Sequence, residues 1–587
     1  MAWKRVCVMK HFWAAVVWVV VSFSLAGSAR AQFTANFQTN IISGTSSNWA
    51  DFGGYVVGSN TFGDVLLIEN GGVLSSDFYG IIGDLIGASN NTAIVTGSGS
   101  TWSNGSLLLG YSGAGNNLVI SNGGVLSVES GGVLIGELSG ASNNTAIVTG
   151  SGSVWTNSGG LILGYMGRGN SLVISNGGVV YNPNGSVGYL PGGSNNTVTV
   201  TGTGSVWSNG VGLLVGAEST GNRMTISAGG AVHDNTGYVG ATVLSSSNVV
   251  TITGPGSVWT HDDVGQVGGG LFVIGQQSTA NQMTTTNGGA VYSSNIIIGG
   301  PATTASSNVV TVTGAGSVWN ISPGVGAGNL EVGLSGPGNQ LTISDGAAVH
   351  STHGIVGEGG KNDAVTVTGT GSVWDSMVDL TVGSNGKTNT LTIGPGGSVV
   401  AINVYINYLA GTVGNRINIE GGSLVSTNVA VGNLTCPASA QLTVDSGMLL
   451  VTNAAHNAVL EVLSGTLTLN GGTTIIDKLV VTNSCARFVH AGGTLIVGTY
   501  VFDQTKFRST AVTPSSNGVL LTWMMGPGAT NALQAAPGNP SGGYTTNGFI
   551  DIFVVTNNSA AGTVTNYLDV GGATNVPARY YRVRLVP

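Results

Sequence analysis

A unit of about 26 residues recurs along most of this chain, and that repeat constrains the fold more than any other feature. Each unit runs from an Asn into a segment of alternating apolar and polar residues, such as NTVTVTG (196–202). It then reaches an apolar triplet followed by Gly, such as LLLG (107–110). The residues that open the units are Asn91, Asn117, Asn144, Asn170, Asn196, Asn222, Asn248, Asn281, Asn308, Asn339, Asn362, Asn389 and Asn415. A period of two predicts strands with one buried face, and one unit cannot bury that face alone, so stacked units are expected.

The triplets separate the inner face from the outer face. The residue before Gly is always aliphatic, as at Leu109, and the residue three before it is mostly apolar, as at Leu107. The middle position admits polar residues such as Ser186 and Glu331, so it is expected to face outward. The sequence therefore predicts an all-β fold, a parallel β-helix (β-solenoid) of about 14 coils with ~26 residues per coil, stacked about 4.8 Å apart. The pattern leaves the handedness open.

Tryptophan recurs with twice that period, about every 53 residues, inside motifs such as TGTGSVW (201–207). The six residues of this column are Trp102, Trp155, Trp207, Trp259, Trp319 and Trp374. Facing outward, they would form an aromatic platform that binds a glycan. Facing inward, they would fill the core. The pattern favours the core and leaves the platform open.

The motif TGxGSxW, followed by L-x-I-S-x-G-G-x-V, resembles the repeat of autotransporter (type V secretion) passengers and PEP-CTERM-associated bacterial proteins. The resemblance covers about residues 90 to 400. It implies a bacterial β-helical protein that is exposed at the cell surface or released from the cell. A Pro-Glu-Pro sorting segment and a C-terminal translocating barrel are not recognisable, so the resemblance does not specify the secretion route.

The first 31 residues are typical of a signal peptide. Positive charges at Lys4 and Arg5 precede an apolar run at 12–25, and small residues place the cleavage between Ala31 and Gln32. The alternative is a membrane anchor, but the run is short for a bilayer core of about 30 Å. The sequence predicts export to the cell surface, the medium or the periplasm, with no membrane span after the signal is removed.

The regularity of the repeat changes along the chain, and these changes predict the domain organisation. Strand-like segments such as GVLLTWMM (518–525) follow the last coils and resemble a small fibronectin-like β-sandwich. The predicted segments are a signal peptide at 1–31, an N-terminal cap and first coils at 32–89, regular two-coil repeats at 90–400, degenerate terminal coils at 401–504 and a small antiparallel C-terminal β domain at 505–587.

Charge is scarce, at 7% of residues with a net charge of −8. Few charges among many aliphatic residues argue against disorder, and no basic stripe is present for binding nucleic acid. Only Cys436 and Cys485 remain once the signal peptide is removed. Whether these two cysteines pair stays open.

Residues suited to catalysis are few and scattered. A weak local cluster is formed by His261, Asp262 and Asp263, in a unit lengthened to 33 residues between Asn248 and Asn281. Two further groups are expected near turns: Asp345 with His350 and His353, and Asp375 with Asp379. Each is interpreted first as a solvated loop. Without the GGxGxD calcium motif, no metal and no cofactor are predicted.

The sequence therefore predicts a structural or adhesive protein rather than an enzyme, with surface or matrix glycans as candidate partners. The alternative is a carbohydrate-active β-helix enzyme, a polysaccharide lyase or hydrolase, with its site on inserted loops near 260–270 and 320–328. Carboxylates converging in one groove would favour the enzyme.

Overall fold

The computed structural model describes residues 33–49, 54–261, 270–321, 328–435, 439–483, 485–502, 509–526, 528–538, 543, 548–558, 563–572 and 578–586. Over these residues the chain is a parallel β-solenoid of about 16 turns with about 26 residues per turn, followed by two small antiparallel sheets. This confirms the predicted fold class. Within the described ranges, no helix has the length and apolar character needed to cross a membrane.

The chain divides into two compact units, with Asn329 ending the first and Leu330 beginning the second. The strands that lie wholly in the first unit, β1 to β30 in chain order, are Thr39–Ser43, Ser46–Asn48, Gly54–Val57, Val65–Glu69, Val73–Ser75, Tyr79–Ile82, Thr92–Thr96, Thr101–Asn104, Ser106–Leu109, Asn117–Ser121, Val125–Val128, Val133–Ile135, Thr145–Thr149, Val154–Asn157, Leu161–Leu163, Ser171–Ser175, Val179–Val187, Thr197–Thr201, Val206–Val215, Arg223–Ser227, Ala231–Asp234, Thr236–Val239, Val249–Thr253, Val258–His261, Leu271–Ile274, Gln282–Thr286, Ala290–Ser293, Asn295–Ile298, Val309–Thr313 and Val318–Ile321.

Strand β31, Asn329–Val332, spans the boundary. The later strands, β32 to β50, are Gln340–Ser344, Ala348–Val356, Ala364–Thr368, Ser372–Val382, Thr390–Ile393, Gly397–Ile406, Arg416–Val431, Gln441–Val451, Val459–Val462, Thr466–Leu469, Thr473–Val481, Arg487–His490, Thr494–Phe502, Ser509–Ser515, Gly518–Met525, Thr530–Pro537, Ile550–Thr556, Thr563–Val570 and Arg579–Val586.

A regular coil has three strands, and each strand pairs in parallel with its equivalent in the coils before and after. Strand β10 (Asn117–Ser121), for example, pairs with β7 (Thr92–Thr96) on one side and with β13 (Thr145–Thr149) on the other. Side chains that alternate into the coil, such as Val95, Trp102 and Leu109, are fully buried. Burial of this continuous aliphatic column is the main driving force for stacking the coils.

The coils outnumber the predicted 14 because regular stacking extends into segments where the sequence motif is absent. Strand β1 (Thr39–Ser43) already pairs in parallel with β4 (Val65–Glu69). Near the end of the solenoid, β42 (Thr473–Val481) still pairs with β44 (Thr494–Phe502). Inward residues there, such as Ile42 and Leu479, keep the buried aliphatic pattern. The apolar alternation therefore extends the fold beyond the Asn and Trp motifs.

A ladder of buried Asn side chains runs along one corner of the coils. In the first unit, the backbone nitrogen and Nδ2 of Asn144 both donate to Oδ1 of Asn170, at 2.9 and 3.1 Å. The ladder members there are Asp64, Asn91, Asn116, Asn144, Asn170, Asn196, Asn222, Asn248, Asn281 and Asn308. The second unit has its own run, formed by Asn339, Asp363, Asn389 and Asn415.

Two positions of the predicted Asn column were wrong by one residue. The ladder uses Asn116 rather than Asn117, and Asp363 rather than Asn362. Asn362 instead takes the left-handed conformation with φ of 58°. The residue before the ladder makes the turn, and the ladder residue itself points inward.

The Gly after each apolar triplet, called here the corner glycine, makes room for this ladder. Gly164 has φ of +74°, and a Cβ added there would lie 2.0 Å from Nδ2 of Asn196. A side chain at this position would therefore meet both backbone strain and a steric clash with the ladder.

The C-terminal strands form two antiparallel sheets, ordered β45-β46-β49 and β48-β47-β50. Their shared core contains Leu521, Trp523 and Leu533, with the rings of Phe553 and Tyr567 packed against it. The strand-like segment GVLLTWMM is strand β46 (Gly518–Met525), whose Trp523 donates from Nε1 to Oδ1 of Asn531 at 3.2 Å.

Candidate functional site

The tryptophan column lies in the core. Trp102, Trp155, Trp207, Trp259, Trp319 and Trp374 all have 0% of their surface exposed. The Val residues that precede five of them take the outward positions and are half-buried. Of the two arrangements considered from the sequence, the structure therefore has the core column, and these rings do not form a ligand platform.

The indole nitrogens show how this core is held. Trp207 Nε1 donates to Oδ1 of Asn182 in the preceding coil at 2.8 Å. Trp259 Nε1 donates to Oδ2 of Asp234 at 2.6 Å. Among the described residues, Nε1 of Trp102 and Nε1 of Trp155 have no partner. Trp319 Nε1 donates to Oγ1 of Thr285 and Trp374 Nε1 to Oγ of Ser351, so the first two indoles of the column lack a partner and the next four have one, although burial is the same throughout.

His261 belongs to the core and not to a solvated loop, which corrects the interpretation from the sequence. It ends strand β24 in register with Asp234, and its Nδ1 lies 2.6 Å from Asp234 Oδ1. Its ring stacks on Phe272 with centroids 4.4 Å apart. Asp262 and Asp263, the other members of the predicted cluster, lie outside the described residues. With both side chains of the His261–Asp234 pair fully buried, this pair is enclosed by the core.

On the outer face of the second unit, the two histidines of one predicted group lie beside the two aspartates of the other. His350 lies in register with Asp375, and His353 with Asp379. The His Nδ1 to Asp Oδ2 distances are 3.6 Å and 3.2 Å, and all four side chains are about one-third exposed. No set of three or more His, Cys, Asp or Glu side chains within the described ranges is placed to hold a metal ion.

Another outer column, in the first unit, was missed by sequence reasoning. The residue after the corner glycine reads Asp84, Tyr111, Glu137, Tyr165 and Tyr189 in five successive coils, which we call the tyrosine–carboxylate column. Each backbone nitrogen of this column donates to the corner glycine carbonyl of the preceding coil at 3.0 Å, so the residues are in register. Comparing the residue type at this one position from coil to coil would have revealed the column in the sequence.

Tyrosine rings cover the outer side of this face. The middle residues of the triplets, expected to face outward, are only 3–9% exposed at Val56, Ile81, Leu108, Leu134 and Ile162. Tyr79, Tyr111, Tyr165 and Tyr189 pack against them and stay half-exposed. The Tyr165 and Tyr189 rings stack at 5.4 Å with an interplanar angle of 14°. The middle column is therefore largely covered here, because tyrosine side chains of the same outer face pack over it.

Neither carboxylate of the column forms an ion pair with any residue that the structure describes. Burial raises the pKa of Glu137 to about 7, and its Oε2 has no hydrogen-bond partner among the described residues. Burial also raises the pKa of Asp84, although Ser59 donates to its Oδ2 at 3.2 Å. The pKa of Tyr111 is raised by burial and by the charges of Glu137 and Asp84 on either side of it. Carboxyl groups beside phenols make this a hydrogen-bonding surface, and burial disfavours the charged form of both carboxyls.

Other predicted positions cannot be placed. The signal cleavage at Ala31 and Gln32 lies outside the described residues, as do 262–269 and 322–327, the centres of the two inserted loops. Cys485 is disulfide-bonded. Cys436, whose pairing with Cys485 was left open by the sequence, falls outside the described residues.

No protein-family model matches the chain, and no curated protein matches it. The resemblance to autotransporter and PEP-CTERM-associated repeats thus rests on the repeat motif alone.

Proposed function

We propose that the protein is an exported structural or adhesive β-solenoid that acts at the bacterial cell surface or in the extracellular matrix. The observation that carries this proposal is the uniform hydroxyl-lined outer face of the first unit. Ser121 donates to Thr96, Ser175 to Thr149 and Ser227 to Thr201, each at 2.9 Å between adjacent coils. A repeated, neutral and internally bonded surface suits a rigid spacer better than a single reaction centre.

Two further observations support export. The first 31 residues have the pattern of a signal peptide. The disulfide at Cys485 is of a kind that forms and persists in oxidising compartments. The resemblance of the repeat to autotransporter and PEP-CTERM-associated proteins points in the same direction.

Location tests this proposal. Producing cells are fractionated, and intact cells are treated with a protease that cannot enter them. We expect the chain in the envelope or the medium, and we expect the cell-bound fraction to be digested. A chain found only in the cytoplasm and protected from the protease would contradict the proposal.

A carbohydrate-active enzyme remains the second candidate, now at a different place from the inserted loops. Asp84 and Glu137 flank Tyr111 two coil spacings apart, about 9.6 Å between Cα atoms. Inverting glycosidases hold two carboxyl groups roughly 6.5–9.5 Å apart, and one of the two has a raised pKa. Release of new reducing or unsaturated ends from a polysaccharide, lost in Glu137→Gln, would favour the enzyme. No release by the wild-type protein would leave the structural role.

A further inference from the structure

The tyrosine–carboxylate column has the features of a binding surface, and coils without it stack in the same way. The Asn ladder, the corner glycines and the aliphatic core recur in coils that lack it, since the equivalent positions after Tyr189 are Ala217 and Ala241. Coils therefore stack without an aromatic ring at this position. Aromatic side chains left half-exposed in a row are typical of a surface that contacts a ligand.

Its dimensions indicate an extended ligand. Five residues in register at about 4.8 Å per coil give a column about 19 Å long. Leu85 and Leu138, which follow Asp84 and Glu137, are 46% and 36% exposed and lie alongside it. The result is a narrow strip with apolar and aromatic faces beside hydrogen-bonding groups, aligned with the direction in which the coils stack.

Its charge excludes anionic ligands. None of the five positions carries Lys or Arg. Burial raises the pKa of Glu137 to about 7, so this carboxyl is only partly ionised in neutral solution. Ring faces, hydroxyls and carboxyls together match a neutral chain that carries both C–H faces and hydroxyl groups.

We propose that the tyrosine–carboxylate column binds a neutral polysaccharide laid along the stacking direction of the coils. The unpartnered Oε2 of Glu137 faces a hydroxyl of the bound chain, and the rings of Tyr111 and Tyr165 contact its C–H faces. This inference rests on the adhesive role proposed above and names its ligand class.

The test measures retention of the purified protein by neutral polysaccharides in affinity electrophoresis, with β-glucan and xylan as probes. Alginate serves as an anionic probe and polylysine as a cationic one. We expect retention by at least one neutral polysaccharide and by neither charged polymer. Retention by polylysine alone would overturn the proposal in favour of a cationic peptide, and so would no retention at all.

Paired variants locate the site. The double variant Tyr111→Ala/Tyr165→Ala should bind at least tenfold more weakly. The matched control Tyr181→Ala/Tyr292→Ala removes two rings that are 48% and 41% exposed elsewhere on the first unit, and it should bind like the wild type. Equal loss in both double variants would overturn the assignment.

A third variant covers the case in which the tyrosine variant unfolds. Glu137→Lys keeps every ring and places a long cation across the middle of the column. We expect it to bind at least tenfold more weakly while retaining the circular dichroism spectrum of the wild type. Unchanged binding by this variant would contradict the proposal. The location of the protein is measured separately in intact cells, so failure of this site leaves the proposed export untouched.

Discussion

Asp363 accepts two hydrogen bonds from Asn339, at 2.8 Å from the backbone nitrogen and 3.2 Å from Nδ2. Its Oδ1 thus replaces the Asn Oδ1 of other coils, but its Oδ2 stands where they have the donating Nδ2. That oxygen has no partner among the described residues. Burial raises the pKa of Asp363 from 3.8 to about 7, against the two bonds from Asn339 that lower it. A proton on Oδ2 restores the missing donor, so the ladder of the second unit is expected to depend on pH.

Asp363→Asn should remove that dependence. A carboxyl with a raised folded-state pKa contributes stability that is fully present below the unfolded value, and this contribution is lost as the pH rises through about 7. The variant should therefore be about 4 kcal/mol more stable than the wild type at pH 9 and much less so at pH 5. Denaturant unfolding at both pH values measures this.

The reciprocal change provides the control. Asn389→Asp places a second carboxylate in the next position of the same ladder, so the unfolding free energy should fall more steeply between pH 5 and pH 9. Equal pH profiles for the wild type, Asp363→Asn and Asn389→Asp would show that Asp363 keeps an ordinary pKa.

Gly164→Ala should destabilise the first unit more than Gly71→Ala does, although the two glycines have the same backbone conformation. Both Gly164, at φ +74°, and Gly71, at φ +76°, are left-handed. A Cβ on Gly164 would meet Asn196 Nδ2 at 2.0 Å, whereas a Cβ on Gly71 meets nothing within 4 Å. Conformational strain alone costs about 1–2 kcal/mol in each case. Thermal unfolding should show a further loss of about 2 kcal/mol for Gly164→Ala, from the broken ladder bond. Equal losses would mean that the ladder adapts.

Val128→Asn should stabilise the coil that contains Trp155. In the equivalent coil, Asn182 accepts from Trp207 Nε1 and donates to Asn209 Oδ1 at 2.6 Å. Val128 occupies that position beneath Asn157, whose side-chain oxygen and nitrogen are buried without partners among the described residues. The amide introduced by Val128→Asn should raise the free energy of unfolding by about 1 kcal/mol.

The control for this prediction removes the amide from the coil that already has it. Asn182→Val should cost about 1–3 kcal/mol, because it leaves Trp207 Nε1 buried without an acceptor. If both substitutions changed stability in the same direction, the indole hydrogen bond would not be the cause.

The sequence predicted the coils because alternation and Gly spacing report directly on a buried strand face. It misplaced the ladder by one residue at Asn116 because Asn116 and Asn117 are adjacent and identical, so pattern alone cannot tell which side chain points inward. His261 was interpreted as a loop residue because its inward direction depends on the register with Asp234, which lies in another coil.

The pairing of His350 with Asp375 illustrates the same limit for sites. The two residues are 25 positions apart in the chain, close to one coil, and only the observed register brings them face to face. The tyrosine–carboxylate column was missed because its members are single residues in five separate coils. Comparison of equivalent positions between coils, rather than of neighbours in sequence, is what reveals sites of this kind.

The central claim, that the solenoid is an exported protein, is tested most directly by mass spectrometry of chain recovered from outside intact cells. The N-terminal peptide and the alkylation of Cys485 before reduction are read in the same digest. We expect the chain to begin at Gln32 and Cys485 to resist alkylation until it is reduced. A chain found only inside the cell, with residues 1–31 attached and Cys485 alkylated without reduction, would contradict the account.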